Sequence, residues 1–247
     1  YWSKTLFIRQ GNRIALTEAG LTAYPTLARS MTALTDLSDT MREAPRRARL
    51  VLSAPHSVAE TWLALRLARC FGVSVERRLE LRIEEDPIDF ARDRVHMRIF
   101  YGHGLYSEYQ VQELFRDSYV AVAAPRFAAR HGKAVERIAD RFLIHTDWGR
   151  DYASSPDWSG QMSHERVVDM AAGLRVAASS TAITCARIGL GAALVPLMMA
   201  KEDLVAGRLV RLDTPEQPMA RSYSVAYPNA LANRADVLAI VTALSTQ

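Results

Sequence analysis

Residues 50–71 read LVLSAPHSVAETWLALRLARCF. The short, mostly apolar run LVLSA (50–54) predicts a strand, and SVAETWLALRLARCF (57–71) predicts a helix that opens at Ser57. The same alternation continues downstream. A strand is expected near 80–83, a short helix at PIDFARDR (87–94), and strands at VHMRIF (95–100), SYVAVAAP (118–125) and FLIHT (142–146). The last third gives a strand LRVAA (174–178), a helix STAITCARIGL (180–190), strands AALVP (192–196) and YSVAY (223–227), and a closing helix after Asn233. Strands alternating with helices predict an α/β fold with largely parallel sheets. The strand exits at 121–125 and 226–228 suit two crossings between lobes, although alternation alone also allows a single sheet.

Composition narrows the class. The chain has 247 residues, 49% hydrophobic and 23% charged, which excludes a disordered or fibrous chain and gives enough length for one to two domains. The longest stretch without a charge, the thirteen residues 188–200, falls short of the roughly 18 that a membrane span needs, so no membrane partner is expected. Cys70 and Cys185 are too few for a disulfide framework and lack CxxC spacing. A reducing, cytoplasmic setting follows, with both cysteines as small buried hydrophobes. The opening YWSKTLFIRQ lacks the apolar run of a secretory signal, and a start at Tyr1 reads as a trimmed chain.

No chemistry of an enzyme assembles. His56, His96, His103, His131, His145 and His164 show neither HxxxH nor HExxH spacing, so no metal is expected. Gly189 and Gly191 leave a helix and enter a strand, opposite to the dinucleotide-binding order, and no GxSxG or P-loop occurs. No cofactor is expected.

Charge is concentrated at the start. Residues 1–49 hold eight Lys/Arg against four acids, so the whole net charge of +4 lies there and the remainder is neutral. A basic segment on a neutral body suits a piece that touches a polyanion, and equally a solvated basic helix. Thr17 is the expected N-cap of a helix reaching about Arg42. Along it Tyr24, Leu27, Met31, Leu34, Ser38 and Met41 recur at spacings of three and four. That seam, on a helix of about 40 Å, suits pairing with a second copy. Pro25 is expected to kink or thin its first turns, and APRRAR (44–49) reads as a linker.

The segment LFIRQGNRIALTEAG (6–20) resembles the wing and linker-helix start of LysR-type transcriptional regulators, with the anchors Leu6, Phe7, Arg9, Arg13, Leu16, Thr17, Ala19 and Gly20 all present. The body resembles that family's effector-binding domain, in its glycine-cleavage-activator-like branch. The matching pieces are Ser57 with Trp62, Leu63, Arg66 and Leu67, then Ile88 to Phe90, Tyr101 with Gly102 and Gly104, GLGAALVP (189–196), LVAGRLV (204–210) and 223–228. The resemblance implies a two-lobed, periplasmic-binding-protein-like effector domain preceded by a wing remnant and a long linker helix. Residues 1–16 would be the remnant of a winged helix-turn-helix, 17–45 the dimerisation helix and 46–247 the effector domain. Lobe I would take about 46–123 and 227–247, and lobe II about 124–226. The recognition helix would lie upstream of Tyr1.

Under that resemblance the partners are promoter DNA for the full-length protein, a small-molecule effector, and self as a dimer or tetramer. Arg9, Gln10, Asn12 and Arg13 would contact phosphates from the wing. A small anionic effector would meet Ser57, Ser179, Ser180 and Thr181 at two helix N-termini, where free N–H groups and the helix dipole favour negative charge. The serines equally suit simple N-caps. Thr146 and Tyr223 would add donors, His56 and His145 would flank the cleft, and Phe100 with Tyr101 would wall it. His96 to Phe100 departs from the branch, which carries Asp-x-x-Ile-Arg there; Phe100 in place of the arginine is expected to make that rim more apolar. A solute-binding protein with the same lobes and no DNA is the alternative.

Overall fold

The computed structural model describes residues 4–10, 13–42, 49–71, 79–102, 104–147, 157–162 and 166–245. Asn12 falls outside these, as do His103, His164 and the side chains of Gln10, Arg13, Met41 and Cys70. The chain divides into two compact units, residues 1–49 and 50–247.

In the first unit β1 (Phe7–Gln10) pairs antiparallel with β2 (Arg13–Leu16), Arg9 opposite Ile14. Helix α1 (Glu18–Arg42) follows. Thr17 is its N-cap: the hydroxyl accepts the Gly20 N–H at 3.0 Å and donates to the Thr5 carbonyl at 2.7 Å. Gly20 is required there, because a Cβ would lie 2.1 Å from the Leu6 carbonyl oxygen. Pro25 sits within α1 and removes one backbone hydrogen bond, and the helix continues past it to Arg42. Tyr24, Leu27, Met31 and Leu34 are between 44% and 64% exposed on it.

The second unit holds two sheets. The first contains β3 (Leu50–Ala54), β4 (Leu79–Ile83), β5 (Met97–Tyr101) and β6 (Gln110–Phe115), while β7 (Ser118–Ala123) opens the second. Helix α2, residues 56–71, lies between β3 and β4 and carries a π segment at Ala59–Leu63. After β7 come α3 (Pro125–His131), β8 (Leu143–Thr146), β9 (Leu174–Val176), α4 (Ser179–Arg187), β10 (Ala192–Pro196) and α5 (Leu197–Val205). Short strands β11 (Val210–Arg211) and β12 (Gln217–Pro218), then β13 (Tyr223–Tyr227) and α6 (Ala235–Ser245), complete the chain. The sheet orders are β4-β3-β5-β13-β6 and β11-β7-β10-β8-β9, with β12 on β7.

Each sheet is mixed, with one strand running against the others. β13 runs against β5 and β6, and β7 runs against β10, whereas β3 with β4 and β5, and β8 with β9 and β10, are parallel. In each sheet the reversed strand is the one arriving from the other sheet. The crossings fall at 116–117 and 219–222, earlier than expected, so 118–123 belongs to the second sheet and 223–226 to the first. The helix expected at 87–94 is a turn instead. Asp89 Oδ1 accepts the Ala91 and Arg92 N–H groups at 3.0 and 2.9 Å, and Arg94 takes φ +54°, which ends any helical path.

Alternation along the strands sorts the core. Leu52, Met97, Ile99 and Val225 of the first sheet share one cluster with Val120, Val122, Ile144 and Val195 of the second. The residues between them face outward, Val51, Phe100 and Ala226 on one side, Ala121, Leu143 and Leu194 on the other. At the first crossing Asp117 accepts the Ser118 N–H at 2.8 Å and the Met198 N–H at 3.0 Å, and burial pushes its carboxyl up to about 6.

Candidate ligand-binding cleft

Ligands in open α/β sheets bind beyond the carboxyl ends of the strands, where loops and helix N-termini converge. Here those ends meet. Pro55 to Ser57 follow β3, Glu85 follows β4, and Tyr101 ends β5; across from them Thr146 ends β8 and Ala177 to Ser179 lead from β9 into α4. Tyr223, the first residue of the reversed β13, and Met199 of α5 complete a cavity of about 100 Å³.

Ser57 spans it. Its Oγ accepts the backbone N–H of Ser180 at 3.1 Å, so one side chain from the first sheet's helix satisfies a free N–H at the start of α4. No side chain of α4 itself caps that end, so Ser179 and Ser180 are not the simple N-caps that the sequence also allowed. Ser57 is held by its own helix: the Thr61 hydroxyl donates to the Ser57 carbonyl at 2.6 Å, at the start of the π segment. His56 Nε2 lies 3.0 Å from Glu60 Oε1.

The floor is aromatic. Tyr101 and Tyr223 are opposite one another in the β5/β13 register, with ring centroids 5.2 Å apart, and Phe115 adds a ring 5.2 Å from Tyr223. Tyr101 Oη accepts the Arg221 N–H at 3.2 Å. At the back, Thr146 Oγ1 is buried and has no hydrogen-bond partner among the described residues. Glu85 and Asp147 at the mouth escaped the sequence reading, since an isolated acid in a loop carries no periodic signal.

Thus His56, Ser57, Tyr101, Thr146, Ser179 and Tyr223 come together, and Ser180 joins them through its N–H. Two expectations need correcting, Thr181 and Phe100, and His145 sits beside the cleft rather than in it. Thr181 is exposed and lies outside the lining, because one step along α4 turns the side chain away. His145, on β8 next to Thr146, lines an adjoining cavity that shares Thr146 with the cleft. Phe100 points to the opposite face of β5 from Tyr101 and packs on Phe90 and Tyr106, so it does not make the rim apolar.

Arg98 shares that outer face and was likewise missed. It is fully buried, its Nε donating to Asp86 Oδ1 at 3.0 Å, its Nη2 lying 2.9 Å from Oδ2 and its Nη1 donating to Ser53 Oγ at 3.3 Å. Tyr106 donates its hydroxyl to Asp86 Oδ1 at 2.5 Å and accepts the Ile88 N–H at 3.0 Å; burial, then that bond, raises its pKa. A charge at 98 thus finds its counter-charge on the loop after β4, next to cleft residue Glu85.

Residues 43–247 match the family model described as the LysR substrate binding domain. The chain belongs to the LysR family. It is 25% identical over 207 residues to the glycine cleavage system transcriptional activator of Escherichia coli, covering 83% of this chain and 67% of that protein. Among solved structures, the LysR-type regulator CrgA from Neisseria meningitidis aligns over 98% of this chain and 85% of its own, at 18% identity and TM-score 0.64. The effector domain of the transcriptional regulator AmpR of Pseudomonas aeruginosa aligns over 80% of this chain and 94% of its own, at 20% identity and TM-score 0.62. The LysR match favours the regulator over a free solute-binding protein, and the named relatives are transcriptional regulators rather than enzymes. Among the described residues no helix is long and apolar enough to cross a membrane.

Proposed function

We propose that this chain senses a small anionic effector in the cleft between its two sheets and passes the binding event to DNA-binding heads. The supporting observation is the Ser57–Ser180 bond, which joins the two sides where N–H groups of α4 face the cavity. A carboxylate entering there accepts from the free N–H groups at the start of α4 and from the Ser57 hydroxyl, whose own hydrogen the Ser180 bond leaves unused, and a ligand with different affinity for the open and closed arrangements shifts the balance between them. Tyr24, Leu27, Met31 and Leu34, exposed along α1, together with Met41 of the same sequence seam, are assigned to pairing with a second copy, giving a dimer or tetramer. The β1–β2 hairpin carries Arg9, Gln10, Asn12 and Arg13 for backbone phosphates of promoter DNA in the full-length protein. The setting is cytoplasmic, and neither catalysis nor a cofactor is required.

A thermal-shift screen of small carboxylates and aromatic acids tests this reading. At least one compound is expected to raise the melting midpoint, with Ser57→Ala weakening its binding about tenfold. Unchanged affinity in Ser57→Ala removes the cleft from consideration. For the full-length protein, promoter binding that ignores both salt and every such compound contradicts the regulator.

A further inference from the structure

Adjoining the cleft through Thr146 is a second cavity of about 50 Å³. Its walls are apolar at Ile144, Trp158 and Leu194, and its polar groups include His145 and Asp157. His145 is only 6% exposed, and its Nε2 is buried without a hydrogen-bond partner among the described residues. The ring is hydrogen-bonded to the Ala172 carbonyl, and burial holds its pKa below the usual histidine range. A neutral ring that donates through its other nitrogen leaves Nε2 as a bare acceptor. Neighbouring donors are engaged elsewhere: the Trp158 indole N–H goes to the Ile144 carbonyl at 2.9 Å and the Gly160 N–H to Asp157 Oδ1 at 2.8 Å. Arg175 also lines the cavity and donates through Nη1 to the Met170 carbonyl at 3.1 Å, so a carboxylate and a guanidinium lie near His145 while its Nε2 stays an open acceptor, whereas the α4 end of the cleft offers N–H donors. Buried acceptors left unmatched are rare in folded chains, and a pair of adjoining ones beside a ligand cleft is where a donor is expected from outside the chain.

We propose that this cavity is a subsite of the cleft that receives a hydroxyl or amino group of the ligand, whose hydrogen is donated to His145 Nε2 while Thr146 Oγ1 contacts the same end of the molecule. This rests on the cleft being the effector site, and it narrows the ligand class from a plain carboxylate to one bearing a hydrogen-bond donor.

Propionate, lactate and alanine share a three-carbon skeleton and differ at C2 by H, OH or NH3+, which makes them direct probes. Each is titrated into the full chain labelled with 15N-histidine, reading the melting midpoint and the His145 Nε2 resonance. Lactate or alanine is expected to bind about tenfold more tightly than propionate and to shift Nε2, which propionate leaves in place. Whichever of the two binds identifies the donor as hydroxyl or ammonium. His145→Phe is expected to bring both down to the propionate level, and His145→Gln, which keeps an acceptor, to restore part of the difference. Lactate and alanine binding that His145→Phe does not change, or an unmoved Nε2 at saturation, means a solvent-filled cavity only and overturns the subsite while the cleft stands. No midpoint shift with any of the three, or shifts that Ser57→Ala leaves intact, overturns the cleft reading itself.

Discussion

On the outer face of the first sheet, buried Arg98, Tyr106 and Ser53 and half-buried Asp86 are paired with one another, charge against charge and hydroxyl against carboxylate, Arg98 Nη2 by ion-pair contact alone. At the strand ends, Thr146 Oγ1 and His145 Nε2 are buried with no hydrogen-bond partner among the described residues, and the Ser57–Ser180 bond links the two sides of the cleft. The desolvation cost is met from within the chain in the first region and left open in the second. On the proposed function, internal pairing serves the fold and the open groups beside the cleft serve a ligand. The contrast gives opposite expectations for substitutions in the two regions.

The largest effect is expected behind the sheet. Arg98→Met leaves Asp86 partly buried without its counter-charge and is expected to cost about 3–5 kcal/mol in chemical denaturation, with ligand affinity per folded molecule unchanged. A loss below about 1 kcal/mol makes the pair incidental. Next is Asp117, which is half-buried and accepts only backbone N–H groups, with no counter-charge bonded to it among the described residues. Its folded pKa of about 6 lies above the unfolded value, so its contribution is full below about pH 4 and is lost as pH rises through 6. Asp117→Asn is expected to flatten the fall in stability between pH 4 and 8 by about 2–3 kcal/mol, read from denaturation midpoints; identical slopes contradict this. Tyr106→Phe removes one hydroxyl from the matched network and is expected to cost about 1–2 kcal/mol, again read by denaturation. Thr146→Val is the smallest. It replaces an unmatched hydroxyl by an isosteric methyl and is expected to leave stability unchanged or slightly raised, while binding of any cleft ligand weakens. A clear stability loss there gives Thr146 a structural partner and blurs the contrast.

Much of the architecture was legible because strand alternation is local. LVLSA, AALVP and YSVAY are strands as expected, and Thr17 caps α1. The β6 strand QVQELF was missed because only Leu114 on it is buried, so it lacks an apolar stripe. Helix α5 was missed because its first turn lies in the uncharged run 188–200, directly after the strand that Pro196 ends. At the site, Ser57, Thr146, Ser179 and Tyr223 were reachable through the family resemblance and through helix starts. Phe100 was misplaced for a simpler reason. Side chains on a strand alternate, and Tyr101 and Phe100 cannot wall the same cavity. The pairing of Arg98 with Asp86 had no sequence signal at all, since an Arg in a buried strand declares its partner only once the loop after β4 folds over it.

The most direct test is a crystal structure of the chain with the strongest carboxylate found by thermal shift. Ligand density is expected between Ser57, Thr146 and Tyr223, with the ligand's carboxylate on the N–H groups at the start of α4. Density confined to any other surface, with the Ser57–Ser180 contact intact and the cleft empty, contradicts a ligand site between the two sheets.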